Sequence, residues 1–114
     1  MSLSNTNLFP GSPTVEYANG GCRITFTVPD GFFFCEGHFP GKPLVPGAVL
    51  GAWMKEAARM GGLPGPGNRV RSLKFRRPVV PGDSLTITTS ANGAGVRVML
   101  QTPEQVCADA LFHS

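Results

Sequence analysis

The chain has 114 residues, of which 41% are hydrophobic and 15% are charged, and its mean hydropathy is +0.03. A chain of this length has room for one domain, and this apolar content favours a packed core over disorder. No apolar run approaches the roughly 18 residues of a membrane span, and the first five residues lack a signal-peptide pattern. We therefore expect one globular domain that acts away from the membrane.

The three cysteines, Cys22, Cys35 and Cys107, are an odd number and have no C-x-x-C spacing. This arrangement argues against a disulfide scaffold and against a cysteine-rich zinc site. Reduced thiols in the cytoplasm are the simplest account. The sequence also lacks a P-loop, a dinucleotide fingerprint and a metal-ligand spacing, so we predict no cofactor and no metal.

The net charge is +3, and half of the ten positive charges lie within residues 69–77. The basic excess is therefore local, and its partner is an anion of some kind. Nucleic acid is the weakest candidate, because the segment lacks interleaved exposed aromatic residues. An acidic protein or a phosphorylated arm fits the same charge, and a solvated strand face is the alternative.

The first part of the chain predicts two strands. Residues 1–13 are polar and contain two prolines, so we expect a flexible lead-in before a domain that spans 14–114. A short strand over 14–18 precedes Asn19-Gly20, a dipeptide that is typical of hairpin turns. Apolar and polar residues then alternate over 23–28, which predicts a half-buried antiparallel strand.

The middle of the chain predicts a functional loop and one helix. Residues 32–47 are aromatic and rich in Pro and Gly, with no clean period. Ala48–Met60 has a helical apolar pattern between Pro46-Gly47 and Gly61-Gly62, which are typical start and stop signals. Glu56 lies at the margin of the apolar face. The predicted apolar face consists of Val49, Leu50, Trp53, Met54, Ala57 and Met60.

After a Pro/Gly linker, the last part predicts three or four further strands, over residues 69–78, 85–88, 96–101 and 106–112. Two strands, a loop, one apolar helix and a meander predict an α+β fold. An antiparallel sheet that wraps around the single helix buries the helix most economically.

Two blocks of this sequence resemble the 3-hydroxyacyl-[acyl-carrier-protein] dehydratases, which have the hot-dog fold. The segment FCEGHFPGKPLVPG over 34–47 is similar to the active-site loop of that family. The segment KFRRPVVPGDSL over 74–85 is similar to its strand after the helix. The resemblance covers most of the chain from about Thr14 onward, and the chain is shorter than typical members.

The resemblance implies reversible elimination of water from a 3-hydroxyacyl thioester in fatty-acid or polyketide-type metabolism. The acyl chain would be linked to acyl carrier protein or coenzyme A, and the sites would form at a homodimer interface, within a dimer or a higher homo-oligomer. His38 would be the base that takes the α proton, since an imidazole changes charge near neutral pH. Gly47 would donate its backbone N–H to the oxyanion.

The acid departs from the family pattern. The family carries a carboxylate on the central helix fourteen residues after the histidine, and this position is Ala52. Glu56 lies one turn further along nearly the same face, so it is the candidate acid. Two alternatives stay open: Glu56 pairs with Arg59 or Lys55 at the surface, or the chain binds acyl thioesters without dehydrating them.

Further roles follow from the same resemblance. The candidate substrate-binding residues are Phe34, Phe39, Val45, Pro46 and Trp53, with ordinary core packing as the alternative. The candidate residues for the phosphopantetheine arm are Lys74, Arg76 and Arg77. A hot-dog thioesterase and a non-catalytic acyl-thioester-binding protein are the rival functions.

Overall fold

The computed structural model describes residues 9–18, 20–30, 44–61, 69–93 and 95–113. Two strands, one helix and four strands follow each other, as predicted. In chain order they are β1 (Thr14–Ala18), β2 (Gly21–Thr27), α1 (Gly47–Met60), β3 (Arg69–Phe75), β4 (Ser84–Asn92), β5 (Gly95–Gln101) and β6 (Val106–His113). Within the described ranges, no helix is both long enough and apolar enough to cross a membrane.

The described strands form one antiparallel sheet in the order β1-β2-β4-β5-β6-β3. Tight turns connect the hairpins, and Gly20 (φ 86°) and Gly93 (φ 59°) have the positive φ that such turns favour. β3 does not pair with the next strand in the chain. It pairs with β6 instead, which places β3 at one edge of the sheet.

Alternation along the strands places one face of the sheet against α1. Ile24 and Phe26 of β2 are buried, whereas the residues between and beside them are exposed. On the helix, Trp53 is only 1% exposed, and its ring meets Phe26 edge-on at 5.1 Å between centroids. The predicted apolar face is confirmed except that Val49 is only partly buried at its margin, while Ala58 joins the core.

The start of α1 and the end of β3 differ from the sequence-based prediction. The helix begins at Gly47, one residue earlier than expected. β3 ends at Phe75 and not at residue 78, because the next two N–H groups, of Arg76 and Arg77, both turn to the Cys107 carbonyl at 2.7 and 3.2 Å. An antiparallel ladder pairs each residue with one residue of the neighbouring strand, so the strand stops where two donors share one acceptor.

The segment after β3 is fastened to both β2 and the start of α1. Gly82 (φ 93°) donates to the Val28 carbonyl at 2.7 Å, and Val28 donates to the Asp83 carbonyl at 2.9 Å. One residue before Pro46, Val45 donates to the Val79 carbonyl at 2.8 Å. These bonds hold residues 76–83 beside the first turn of the helix.

Cys22 and Cys107 are buried free thiols, and Cys35 lies outside the described residues. Burial raises the pKa of Cys22, and a hydrogen bond with Thr89 lowers it to a lesser extent. The cytoplasmic location expected from reduced thiols stays a prediction.

Candidate active site

A cavity of about 370 Å³ lies where the first turn of α1 meets the end of β3 and the segment that follows it. Three of the sequence-predicted contact residues for substrate or carrier, Val45, Arg76 and Arg77, line it. The complete lining consists of Leu44, Val45, Gly47, Leu50, Phe75, Arg76, Arg77, Pro78 and Val79. The fold thus joins the two blocks that carry the family resemblance at one site.

The first turn of the helix lies at this cavity, which Gly47 and Leu50 line. Its first bonds run from the N–H groups of Val49 and Leu50 to the Pro46 carbonyl, at 3.0 and 3.2 Å. The N–H groups of Gly47 and Ala48 precede these bonds, and no side chain of the described residues caps the helix. The first N–H groups of a helix have no acceptor within it and carry the positive end of its dipole. The site therefore suits a carbonyl oxygen that gains negative charge.

Phe75 covers the backbone of Gly47. A Cβ atom at Gly47 would lie 3.3 Å from Cζ and 3.4 Å from Cε2 of the Phe75 ring. The ring itself is 51% exposed, so it forms an open wall of the cavity. Sequence reasoning missed Phe75, although its place next to the predicted anion-binding arginines was a signal that it belongs to the site.

Both arginines at the cavity are held by carboxylates. Arg76 Nε lies 2.6 Å from an Asp109 oxygen, and Arg77 Nη1 lies 3.2 Å from Asp83 Oδ2. The hydrogen bond to Asp83, and a weaker contact with the Cys107 thiol, raise the pKa of Arg77. A guanidinium has five N–H donors, so each arginine keeps donors for a phosphate. The sequence analysis did not predict either carboxylate. Asp83 could have been predicted, because it lies in the Pro-Gly-Asp turn only six residues after Arg77.

The other predicted contact residues divide between cavity and core. Val45 is 5% exposed and lines the cavity, with partly buried Pro46 beside it. Trp53 lies in the core under Phe26. Lys74 is exposed on β3, opposite Asp109 in the register of β6.

Three of the predicted site residues, His38, Phe34 and Phe39, lie outside the described residues. Their roles as base and as acyl contacts therefore stay predictions.

Glu56 forms an ion pair with Arg59 on the next turn. Arg59 Nε donates to Glu56 Oε1 at 3.0 Å, and Nη2 donates to Oε2. This pair raises the pKa of Arg59. Glu56 follows Gly47 by nine residues, which is about 13 Å along a helix axis at about 1.5 Å per residue. The Glu56 side chain is only 13% exposed, so the pair with Arg59 forms although Glu56 is mostly buried. The role of Glu56 as the acid stays a prediction.

Ala52, at the position of the family's carboxylate, is exposed on α1. Its neighbour Gly51 faces the sheet edge, since a Cβ atom there would lie 3.9 Å from Cδ2 of Leu73 in β3. The space beside Ala52 is therefore open to a group from outside the chain.

A second cavity, of about 420 Å³, lies at the other end of the sheet between β1, β2 and β4. Tyr17, Cys22 and Thr89 line it, and Thr89 Oγ1 accepts a hydrogen bond from the Cys22 N–H at 2.9 Å. None of the sequence-predicted site residues lies there.

Comparison with known proteins finds dehydratases among the matches to this sequence. A family model described as ApeI-like, ApeI dehydratase, matches residues 14–110. The FabZ 3-hydroxyacyl-[acyl-carrier-protein] dehydratase of Acetivibrio thermocellus is 38% identical over 86 residues, covering 68% of this chain and 53% of that enzyme. The FabZ of Thermus thermophilus is 33% identical over 106 residues, covering 79% and 72%.

Among solved structures, the dehydratase heterocomplex ApeI:P from Xenorhabdus doucetiae matches with a TM-score of 0.71. The match has 19% identity and covers 90% of this chain and 96% of that one. It confirms the predicted hot-dog fold. Against several of its FabZ relatives, this chain spans only about half of their length.

Proposed function

Since the chain belongs to the ApeI-like dehydratase family, we propose that it eliminates water from 3-hydroxyacyl thioesters. The observation that carries this proposal is the cavity at the first turn of α1, which Gly47 lines together with Val45, Leu50 and Phe75. The FabZ relatives, which are 3-hydroxyacyl-[acyl-carrier-protein] dehydratases, support a substrate linked to acyl carrier protein.

In the proposed reaction the thioester carbonyl accepts a hydrogen bond from the Gly47 N–H. His38 takes the proton from the carbon next to the carbonyl, and the electron pair moves toward the carbonyl oxygen, where the helix terminus stabilises it. An acid then protonates the hydroxyl on the third carbon. The C–O bond breaks, water leaves, and a 2-enoyl thioester remains. The proton taken by His38 returns to solvent.

The arginines at the cavity fit the phosphorylated part of the carrier. Arg76 and Arg77 stand at the wall, and a phosphate there would share donors that Asp109 and Asp83 leave unused. Lys74 adds an exposed positive charge on the same segment. Coenzyme A and the prosthetic arm of acyl carrier protein share this pantetheine phosphate chemistry.

A second candidate function follows from Ala52. Without a carboxylate at that position, and with Glu56 paired to Arg59, the proposed reaction lacks an assigned acid within the chain. The chain would then bind acyl thioesters without turning them over.

Assembly also belongs to the proposal. β3 is an exposed edge strand of the described sheet, and edges of this kind add a further strand from another chain. The homodimer expected from the sequence is one form of this assembly. The matched dehydratase heterocomplex from Xenorhabdus doucetiae supports a mixed form as well.

The decisive experiment is turnover of a 3-hydroxyacyl thioester, followed by the ultraviolet absorbance of the conjugated enoyl product. We expect His38→Ala to lose about 100-fold or more in rate, the usual size of a general-base contribution. The matched control is His113→Ala, since His113 is the other histidine and lies at the end of β6. Equal rates for the two variants would remove His38 from the mechanism.

Glu56→Gln separates the two interpretations of the acid. Because the side chain is paired with Arg59 and far from Gly47, we expect less than a threefold change in rate, with Glu104→Gln as an exposed control. A loss of about 100-fold confined to Glu56→Gln would restore Glu56 as the acid. Tight binding of the thioester with no product from the wild type would favour the binding protein.

A further inference from the structure

The basic segment over residues 69–77 divides between the two faces of the sheet. Arg76 and Arg77, which follow the end of β3, line the candidate active site and are paired with carboxylates. Arg69 lies on the other face, because the next residue, Val70, is opposite a buried residue of β6 and is therefore on the helix side. The proposed reaction thus leaves the first half of the basic segment without a role.

A β-bulge adds Arg71 to the face of the sheet that lies away from α1. The register of β3 against β6 skips Arg71, since Val70 lies opposite Phe112 and Ser72 lies opposite Leu111. A bulge of this kind shifts the alternation of side chains along the strand and redirects one of them. Here it places Arg71 beside Ser72 on the outer face, where Arg71 and Leu111 line one cavity.

This outer-face cavity has a volume of about 340 Å³ and is lined in part by Arg71, Asn92 and Leu111. Leu111 is partly buried on β6, and Arg97 lies directly opposite it on β5. Neighbouring strands are about 4.8 Å apart, so the strands of Arg71 and Arg97 lie about 10 Å from each other with β6 between them. Two arginine side chains at this separation can reach one anion between them.

The charges around the outer-face cavity are not neutralised by the described part of the chain. Arg69, Arg71 and Arg97 are exposed, and none of them forms an ion pair with a described residue. Asp109, on the same strand as the cavity, is held by Arg76 at 2.6 Å. Repulsion among neighbouring guanidinium groups destabilises the folded chain, and an anion bound between them would remove this repulsion.

We propose that the outer-face cavity binds the phosphate groups of a small ligand, at a site separate from the dehydratase reaction. Guanidinium groups form paired hydrogen bonds with phosphate oxygens, and a diphosphate can engage more than one of them at once. The cavity volume of about 340 Å³ falls within the range of about 300–1,000 Å³ that is typical of small-molecule sites. Leu111 offers an apolar contact for an organic part of the ligand.

The outer-face cavity and the candidate active site are distinct places on the chain. Arg71 precedes Phe75 of the active-site cavity by four residues, which is about 13 Å along a strand at about 3.3 Å per residue. Phe75 lies opposite buried Ala108 and thus on the helix side of β3, whereas the outer-face cavity lies on the other side. One phosphate group cannot occupy both places.

The test is titration of the full chain with inorganic pyrophosphate and with adenosine diphosphate at about 50 mM salt. Binding is followed by the backbone amide signals in proton–nitrogen correlation spectra. We expect the signals of Asn92, Arg97 and Leu111 to shift, and we expect sulfate at the same ionic strength to bind at least about tenfold more weakly. Tighter binding of adenosine diphosphate than of pyrophosphate would support a ligand with an organic part against Leu111. Equal binding would support recognition of the phosphates alone.

Substitutions locate the binding. Arg71→Ala and Arg97→Ala should each raise the Kd for pyrophosphate about tenfold or more, since each removes a charged phosphate donor. The matched control is Arg23→Ala, which should change the Kd less than about twofold; Arg23 is exposed on the same face but lies opposite Glu16 of β1. If Arg71→Ala fails to fold, Arg71→Lys replaces it, because it keeps the charge and loses only the paired hydrogen bonds. This variant should raise the Kd about threefold or more.

Three results would overturn the proposal. Shifts confined to the signals of Gly47 and Arg77 would show that phosphates bind only at the candidate active site. Equal losses of affinity in Arg23→Ala and Arg71→Ala would show a general attraction of anions to positive charge. Affinity that rises with the length of a single-stranded oligonucleotide would show a nucleic-acid surface in place of a small-ligand site. The titration needs no turnover, so its result stands whether or not the chain dehydrates thioesters.

Discussion

Replacing Gly47 with alanine tests the oxyanion donor without removing any polar group. The new Cβ would lie 3.3 Å from Cζ of Phe75, a few tenths of an ångström inside ordinary carbon contact. Because the Phe75 ring is half exposed, it can move aside at small cost. Alanine also reduces the entropy of the unfolded chain, which contributes about 0.4–1 kcal/mol in the opposite direction. The free energy of unfolding should therefore stay within about 1 kcal/mol of the wild type, or within about 5 °C in Tm.

Activity should respond far more strongly than stability. The added methyl group lies at the cavity, against Phe75 and beside the first-turn N–H groups that we propose bind the thioester oxygen. We expect it to keep the oxygen from these donors, and loss of one oxyanion donor costs about 10²–10³ in kcat. The assay is turnover of a 3-hydroxyacyl thioester in the assembly that is active, with thermal unfolding measured on the same samples. Gly51→Ala is the matched control, since its Cβ would meet Leu73 at an ordinary 3.9 Å. Full activity of Gly47→Ala, or an equal loss in both variants, would refute the role of this backbone.

Three further predictions concern the packing that supports the site. Gly21→Ala would place a Cβ 2.0 Å from the Thr89 carbonyl oxygen. The substitution should therefore lower the free energy of unfolding, measured by urea denaturation, by about 3 kcal/mol or prevent folding. A variant as stable as the wild type would contradict the close spacing of β2 and β4. Trp53→Ala should lose about 3–5 kcal/mol in the same measurement, because the ring is fully buried, and a loss below about 1 kcal/mol would place it outside the core. Burial raises the pKa of Cys22, so its contribution to stability is complete below the unfolded value near 8.5 and is lost as the pH rises through the folded value. Urea denaturation at pH 7.5 and 10 should therefore show a larger fall for the wild type than for Cys22→Ala, and equal falls would contradict this.

Much of the fold could be predicted from local patterns. The alternation along β2 and the helical spacing of Leu50, Trp53 and Ala57 report directly which face meets the core, since burial follows the period of each element. Gly20 and Gly93 occupy turns whose positive φ was readable from their dipeptides. These features depend on residues that are close in sequence, so the sequence alone specifies them.

The features that depended on distant partners could not be predicted. The position of β3 at the sheet edge follows from its pairing with β6, which comes more than thirty residues later in the chain. The residues of β3 do not indicate which strand it pairs with. The same applies to Arg76, whose partner Asp109 comes from β6. Phe75 alternates like a buried residue, yet it is half exposed, and no strand of the described sheet lies beyond β3 at that edge.

For the candidate site, the motif predicted Gly47 and the two arginines, and the fold brings them to one cavity. It did not decide the role of Glu56. Arg59 lies three residues after Glu56 and is therefore its neighbour on the helix surface. The sequence does not show whether the two side chains pair, whereas the structure shows that they do.

The most direct test is a crystal structure of the chain with a non-hydrolysable 3-hydroxyacyl pantetheine analogue, in the assembly that is active. The account predicts that the acyl carbonyl oxygen lies about 2.9 Å from the Gly47 nitrogen, with the pantetheine phosphate near Arg76 and Arg77. An acyl group bound in the cavity between β1, β2 and β4, beside Tyr17 and Cys22, would contradict it.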